Sequence, residues 1–391
     1  MAATAAATVR PVIFLGLAIQ GVPLPDTATI AQLLVPSYIA VGVAVLAARM
    51  VYRLGRRLSE ARQMGSYRLI EKLGEGGMGE VWRADHEMLA RPAAVKLVRK
   101  DVTESEAGAI QVQRFQREVQ ATAQLRSVHT IDVYDYGITD DGTFYYVMEF
   151  LDGLDLHELV STYGPMPAPR VIPILRQACH SLAEAHEQGL IHRDIKPANI
   201  FLCRYGREVD VVKVLDFGLV KRGNGPGDRD PGLTAAGVFY GTPAYASPEM
   251  ARGTLEDVNV GTDLYSLGCV AFWLLTGRLV FEADHPTGML IKHATEKPQP
   301  PSRYARYEVP LALDQLILDC LEKDETARVP SADVMDARLA EIQPATPWSR
   351  DQARQWWENY LPTELAPEPL GVPQAACRPA AKSPAEAIVG G

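Results

Sequence analysis

One stretch constrains this chain more than any other: His192-Arg193-Asp194-Ile195-Lys196-Pro197-Ala198-Asn199, followed seventeen residues later by Asp216-Phe217-Gly218. It reads as a loop, because Pro197 has no backbone N–H to donate and apolar runs (Gly189 to Ile191, Ile200 to Leu202) flank it. The loop offers an amide oxygen on Asn199, a carboxylate on Asp216 and a separate carboxylate on Asp194. Those groups suffice to hold Mg²⁺ on a nucleotide and to accept a proton from an attacking hydroxyl.

Other stretches point the same way. Tyr67 to Leu73 alternates apolar and polar residues, the period of a half-buried strand. It runs into Gly74-Glu75-Gly76-Gly77-Met78-Gly79-Glu80-Val81, where side chains on the glycines would hold the backbone away from a polyphosphate. A dinucleotide-binding fold needs a helix after such a loop, whereas Glu80 to Ala84 reads as a second strand. Ala93 to Val98 reads as a third, and Lys96 within it is a lone cation that is costly to bury unpaired. Its candidate partner is Glu118, on a helical stretch from Ala109 to Leu125 in which Phe115, Val119, Thr122 and Leu125 recur at helical spacing. Ile131 to Ile138 and Phe144 to Phe150 read as a strand pair around the turn-rich Thr139-Asp140-Asp141-Gly142. Beyond it, Leu154 to Leu159 reads as a short helix and Arg170 to Gln188 as a long amphipathic one ended by Gly189.

Together these stretches resemble the eukaryotic-type protein kinases. The wording Gly76-Gly77-Met78-Gly79-Glu80 and Lys196-Pro197-Ala198-Asn199-Ile200 is most similar to bacterial serine/threonine members. The resemblance implies an α+β, two-lobed fold, with a small antiparallel β-sheet lobe plus one helix and a large mainly helical lobe. It implies ATP and Mg²⁺ as cofactors, protein serine and threonine hydroxyls as substrates, and autophosphorylation. Asp194 is then the base that positions the hydroxyl and Lys196 neutralises the moving γ-phosphate. Lys96 grips the α- and β-phosphates, Glu118 orients it, and Asn199 and Asp216 ligate Mg²⁺. Nucleotide contacts are implied for Leu73, Gly74, Glu75, Gly76, Gly77, Met78, Gly79, Glu80, Val81 and Ala94, for Met148 behind the adenine, and for the backbones of Glu149 and Leu151.

By the same resemblance, Gly241 to Glu249 is a peptide-docking strip with Ser247 where the family has alanine. Asp263 is expected to brace the catalytic loop, and Arg328 to pair with Glu249. Thr234 is a candidate phosphosite able to pair with Arg193, with Tyr240 and Thr242 as rivals. A catalytically silent scaffold is the alternative from another class. The presence of Lys96, Glu118, Asp194, Asn199 and Asp216 argues against it.

The formal net charge is −9, so the chain has no excess of Lys and Arg to neutralise a nucleic-acid backbone, and no nucleic-acid partner is expected. Basic residues gather instead at Arg49, Arg53, Arg56, Arg57 and Arg62, directly after Ile30 to Ala48, an apolar run long enough to cross a bilayer as a helix. By the positive-inside rule that flank faces the cytoplasm. The expectation is a chain anchored in the cell (inner) membrane by a transmembrane helix over 30–48, with 11–22 as a shorter candidate crossing and the catalytic part in the cytoplasm. A homodimer is a candidate arrangement for trans-autophosphorylation. The five cysteines are scattered with no C-x-x-C pair, which suggests neither a zinc site nor a disulfide framework.

The expected divisions are a hydrophobic and basic juxtamembrane region over 1–66, a small lobe over 67–150, a large lobe over 151–342 and a Pro/Ala-rich tail over 343–391. Within that tail Ala353, Trp356 and Tyr360 can share one face of a helix, suited to docking back on the large lobe or on a partner.

Overall fold

The computed structural model describes residues 63–76, 79–89, 91–98, 116, 119–139, 142–217 and 242–361, with isolated positions between 19 and 50. The chain divides into two compact units, residues 1–71 with 83–91 and residues 72–82 with 92–391. The candidate spans 11–22 and 30–48 lie largely outside the described residues, as do Phe115, Glu118 and Thr234. Among the described residues no helix is long and apolar enough to cross a membrane.

In the first unit, β1 (Gln63–Met64) pairs antiparallel with the start of β2 (Tyr67–Gly76). Gly65 turns the chain between them at φ +61°, a conformation that L side chains resist. Tyr67 is buried and meets the His86 ring edge-on at 4.9 Å. His86 ends β3 (Gly79–His86).

In the second unit, β4 (Pro92–Val98), β6 (Phe144–Glu149) and β5 (Val133–Ile138) are antiparallel neighbours in that order. The register sets Lys96 opposite Tyr146 and Ala94 opposite Met148. Every residue of β6 is buried, so the strand packs on both faces. Its core partners include Ala94, Val98, Val119 and Ile131. Residues 119–122 are helical, and Val119 and Thr122 of the expected helical stripe are buried.

The helix expected over Leu154 to Leu159 begins later. Asp152–Asp155 is a strand, β7, and α1 runs over Leu156–Tyr163 with Asp155 Oδ1 accepting from the Glu158 N–H at 2.8 Å. Strand β7 pairs with β8 (Ile200–Tyr205), which pairs in turn with β9 (Glu208–Val214). Gly153 permits this pairing, because a Cβ there would stand 2.2 Å from the Leu202 carbonyl oxygen.

The remaining elements are α2 (Ala168–Glu187), α3 (Pro248–Arg252), α4 (Val260–Thr276), α5 (Pro286–Thr295), α6 (Leu311–Cys320), α7 (Ala332–Glu341) and α8 (Arg350–Tyr360). Almost every residue of α4 is buried, and it packs on both α2 and α6 in a single apolar core. Cys179, Cys203, Cys269 and Cys320 are buried free thiols, and burial pushes Cys203 and Cys320 up to about 12. Helix α8 docks back on this core through Ala353 and Trp357, while Tyr360 is exposed. The expected face of Ala353, Trp356 and Tyr360 does dock, with Trp356 partly buried and both it and Tyr360 against the Tyr163 ring at 5.2 and 5.4 Å, and Trp357, the i+4 partner of Ala353, widens it.

Candidate active site

Asp263 of α4 is fully buried and accepts backbone N–H bonds from His192 at 2.8 Å and Arg193 at 2.7 Å, together with a His186 Nε2 contact at 2.8 Å. This is the brace expected of it. The bonds hold Arg193 at φ +64°, which a non-glycine residue keeps only where its surroundings over-determine it. Pro197–Asn199 forms a single 3-10 turn. The Asn199 carbonyl accepts from the Leu215 N–H at 2.8 Å, tying the loop to the residue before Asp216.

Side chains then converge on Asp194. Lys196 Nζ lies 2.8 Å from Asp194 Oδ2 and 3.3 Å from Thr242 Oγ1. Asn199 Nδ2 donates to the Asp194 carbonyl at 2.8 Å and to its Oδ2 at 3.1 Å. With the amide nitrogen spent this way, the amide oxygen is the end left for a cation.

Asp216 has φ +57°, and the segment around it is held on both sides. His192 Nε2 lies 2.7 Å from the Leu215 carbonyl, and its ring packs 4.7 Å from that of the fully buried Phe217. The carboxylate takes Lys96 Nζ on Oδ2 at 2.5 Å and the Tyr146 hydroxyl on Oδ1 at 2.5 Å. Burial alone would raise the Asp216 pKa, but the Lys96 ammonium and the two hydrogen bonds hold it below the usual carboxylate range. Lys96 thus meets Asp216, while its expected partner Glu118 lies outside the described residues. Sequence reasoning missed Tyr146. The available signal was a hydroxyl in a continuously buried strand, which needs a partner.

The glycine-rich loop contains glycines of two kinds. A Cβ on Gly74 or Gly76 would meet nothing within 4 Å, which leaves the backbone approachable by a polyphosphate. Gly79 differs: at φ +149°, a Cβ would fall 1.7 Å from the Leu97 carbonyl oxygen. Strand packing by itself requires that glycine. Gly77 and Met78 lie outside the described residues. Lys72 engages the carboxylates of Glu75 at 2.7 Å and Glu80 at 2.8 Å on the surface.

Ala94 and Met148, the residues expected at the adenine, are buried side by side, and Leu151 is half-buried. The Glu149 N–H donates to the Asp132 carbonyl at 2.9 Å, and its carboxylate pairs with Lys213 at 2.5 Å. Any contact from the Glu149 backbone to a base is thereby narrowed to its carbonyl.

The donor set suits Mg²⁺ on a polyphosphate. Asn199 and Asp216 offer two oxygen ligands, and Mg²⁺ characteristically takes few protein oxygens and completes its shell with phosphates and water. Among the described residues no cluster of three or more His, Cys, Asp or Glu forms a separate metal cage.

Glu249 is buried against Arg328, with oxygen-to-nitrogen distances of 2.7 and 2.9 Å, as expected, and it also accepts from Thr262 Oγ1 at 2.6 Å. Ser247, which departs from the family alanine, caps the first turn of α3 by accepting from the Met250 N–H.

Fold and site are those of the protein kinase class. The family description "protein kinase domain" matches residues 67–339, and the chain belongs to that family. It is 40% identical to the serine/threonine-protein kinase pkn3 of Myxococcus xanthus over 277 residues, covering 71% of this chain and 50% of the relative. It is 39% identical to the serine/threonine-protein kinase PknB of Mycobacterium tuberculosis over 285 residues, covering 72% of this chain and 43% of the relative. The chain thus spans half or less of the length of these relatives. The crystal structure of the Mycobacterium tuberculosis PknI kinase domain shares the fold at a TM-score of 0.55 and 24% identity, covering 71% of this chain and 97% of that one. A structure of Rad53 in complex with AMP-PNP shares it at a TM-score of 0.57 and 24% identity, covering 71% and 66%.

Proposed function

We propose that this chain is an ATP- and Mg²⁺-dependent serine/threonine protein kinase that phosphorylates protein hydroxyls, its own included. The observation that carries this reading is the convergence of two groups, Asp194 with Lys196 and Asn199, and Asp216 with Lys96, joined by the Asn199–Leu215 backbone bond. Asp194 accepts the proton of the substrate hydroxyl, its carboxylate oriented by Lys196 and Asn199. Lys196 neutralises charge on the transferring phosphoryl group, and Lys96 turns from Asp216 to the nucleotide phosphates. Asn199 and Asp216 hold Mg²⁺, which when bound supplies charge neutralisation at the phosphate oxygens. The printed names of the curated relatives support serine and threonine as acceptors.

The chain is anchored in the bacterial inner membrane through 30–48, with the kinase unit on the cytoplasmic side. Support for that comes from the apolar run and its arginine flank. Protein substrates and trans-autophosphorylation within a homodimer complete the reading.

The test is phosphate transfer from ATP, with Mg²⁺, to a generic protein substrate and to the chain itself. Asp194→Asn is expected to lower turnover about 10²- to 10⁴-fold, the usual contribution of a positioned base, with nucleotide binding retained. Binding without transfer by the wild type would identify a silent scaffold instead. For the anchor, the full chain is expected in the membrane fraction and a chain lacking residues 1–66 in the soluble one. Identical partitioning of the two would refute it.

A further inference from the structure

Lys96 and Tyr146 are direct cross-strand partners on β4 and β6, so their side chains leave the same face of the sheet. Both reach Asp216, one to each carboxylate oxygen. The Lys96 ammonium also sits 5.8 Å from the Tyr146 ring centroid. The two donors differ in one respect. Lys96 is a flexible cation with a second claim on it, the nucleotide phosphates, whereas Tyr146 is 2% exposed and fixed in the wall.

We infer that Tyr146 is a positioning residue for phosphoryl transfer. Its hydroxyl keeps Oδ1 of Asp216 directed into the wall, so that Oδ2 presents to Mg²⁺ once Lys96 has moved to the phosphates. The inference rests on the kinase reading above. Nothing in the glycine loop, the hinge or the catalytic loop motifs contains this tyrosine, so it adds a contact to the site that those motifs do not supply. The backbone cannot take its place: the φ of +57° at Asp216 fixes the main chain, but χ1 and χ2 of the side chain need their own restraint.

The experiment compares the full chain with its Tyr146→Phe variant, which keeps the ring and its packing and removes only the hydroxyl. Initial rates are measured at saturating ATP over a range of free Mg²⁺, with the protein-substrate KM and the thermal midpoint measured in parallel. A hydrogen bond to a charged group is worth about tenfold or somewhat more in an equilibrium. The half-saturating Mg²⁺ concentration is therefore expected to rise about tenfold, with the protein-substrate KM unchanged and turnover recovering at high Mg²⁺. Superimposable Mg²⁺ curves would overturn the inference. So would a loss of turnover equal at every Mg²⁺ concentration, which marks a purely structural role. No transfer by the wild type refutes the kinase reading itself, and with it this inference. Transfer by the wild type with an unmoved variant refutes only the role of Tyr146.

Discussion

Asp210 and Asp216 lie within or just beyond the same strand, and both hold a left-handed backbone, at φ +56° and +57°. Each is also a hub for donors, yet the hubs are built differently. Asp210 accepts Arg170 Nε at 3.1 Å and Nη2 at 2.7 Å, and the indole N–H groups of Trp348 and Trp357 at 2.8 Å each. The Arg170 guanidinium lies 4.1 Å from the Trp356 ring and 5.1 Å from that of Trp348. All of these donors are planar groups, and among the described residues Asp210 is the side-chain acceptor recorded for each. Asp216 holds a lysine and a tyrosine, and its side chain retains 22% exposure against 11% for Asp210. Saturation by rigid donors makes a structural carboxylate, and an exchangeable donor makes a working one.

Single substitutions should therefore separate the two aspartates. Asp216→Asn keeps a residue that tolerates the left-handed region but removes the anionic ligand. Turnover should fall on the order of a hundredfold or more, the scale for removing one preorganised electrostatic group. The urea midpoint should hold. Asp210→Ala should do the reverse. It strands Arg170, which is 2% exposed, without its carboxylate, and breaking such a pair costs about 3–5 kcal/mol. That loss reads as a lowered urea midpoint, with turnover per folded molecule largely retained. Exchange of the two phenotypes would break the comparison.

Glu249 sharpens the contrast through pH, because it is a closed carboxylate like Asp210. Burial alone would raise its pKa, but Arg328 and Thr262 hold it below the ordinary value. A depressed carboxylate stabilises the fold above its unfolded pKa, about 4.3 for Glu, and that stabilisation disappears as pH falls through the lower folded value. Stability measured by urea titration across pH 2–5 (about the range in which carboxylates protonate) should fall with acid in the wild type and less steeply in Glu249→Gln. Equal slopes would show that Arg328 does not hold the Glu249 charge.

The catalytic loop and Asp216 were legible in the sequence because they are local words, whereas the Lys96 and Tyr146 contacts that complete the working hub come from β4 and β6 and were not. Asp194, Lys196 and Asn199 lie within six residues, and Asp216 follows at a fixed interval. The closed hub was not legible. Arg170, Asp210, Trp348 and Trp357 come from α2, β9 and the tail, and only the fold brings them together. Helix α8 itself was readable from its amphipathic pattern, and Trp356 and Tyr360 of its expected face do meet Tyr163, but the more deeply buried Trp357 beside them was not singled out. Strand β7 was hidden for a different reason. Asp152-Gly153-Leu154-Asp155 has the composition of a turn, and only the close approach to β8 explains why it is extended.

The smallest expected effect tests the saturation argument most directly. Trp348→Phe removes one of the N–H donors to Asp210 Oδ2 and leaves the Arg170 Nε contact on that same oxygen. Trp348 is only half-buried, so the lost indole volume matters less than it would at Trp357. The net loss should be near the low end for a hydrogen bond to a charged group, about 1.5 kcal/mol, and turnover should not change. Trp357→Phe should lose more, because its ring is 1% exposed and its volume must be refilled. If Trp348→Phe instead lowered turnover tenfold at unchanged stability, the Asp210 hub would transmit to Asp216 along β9. Asp210 and Asp216 would then form one connected system rather than a structural carboxylate and a working one.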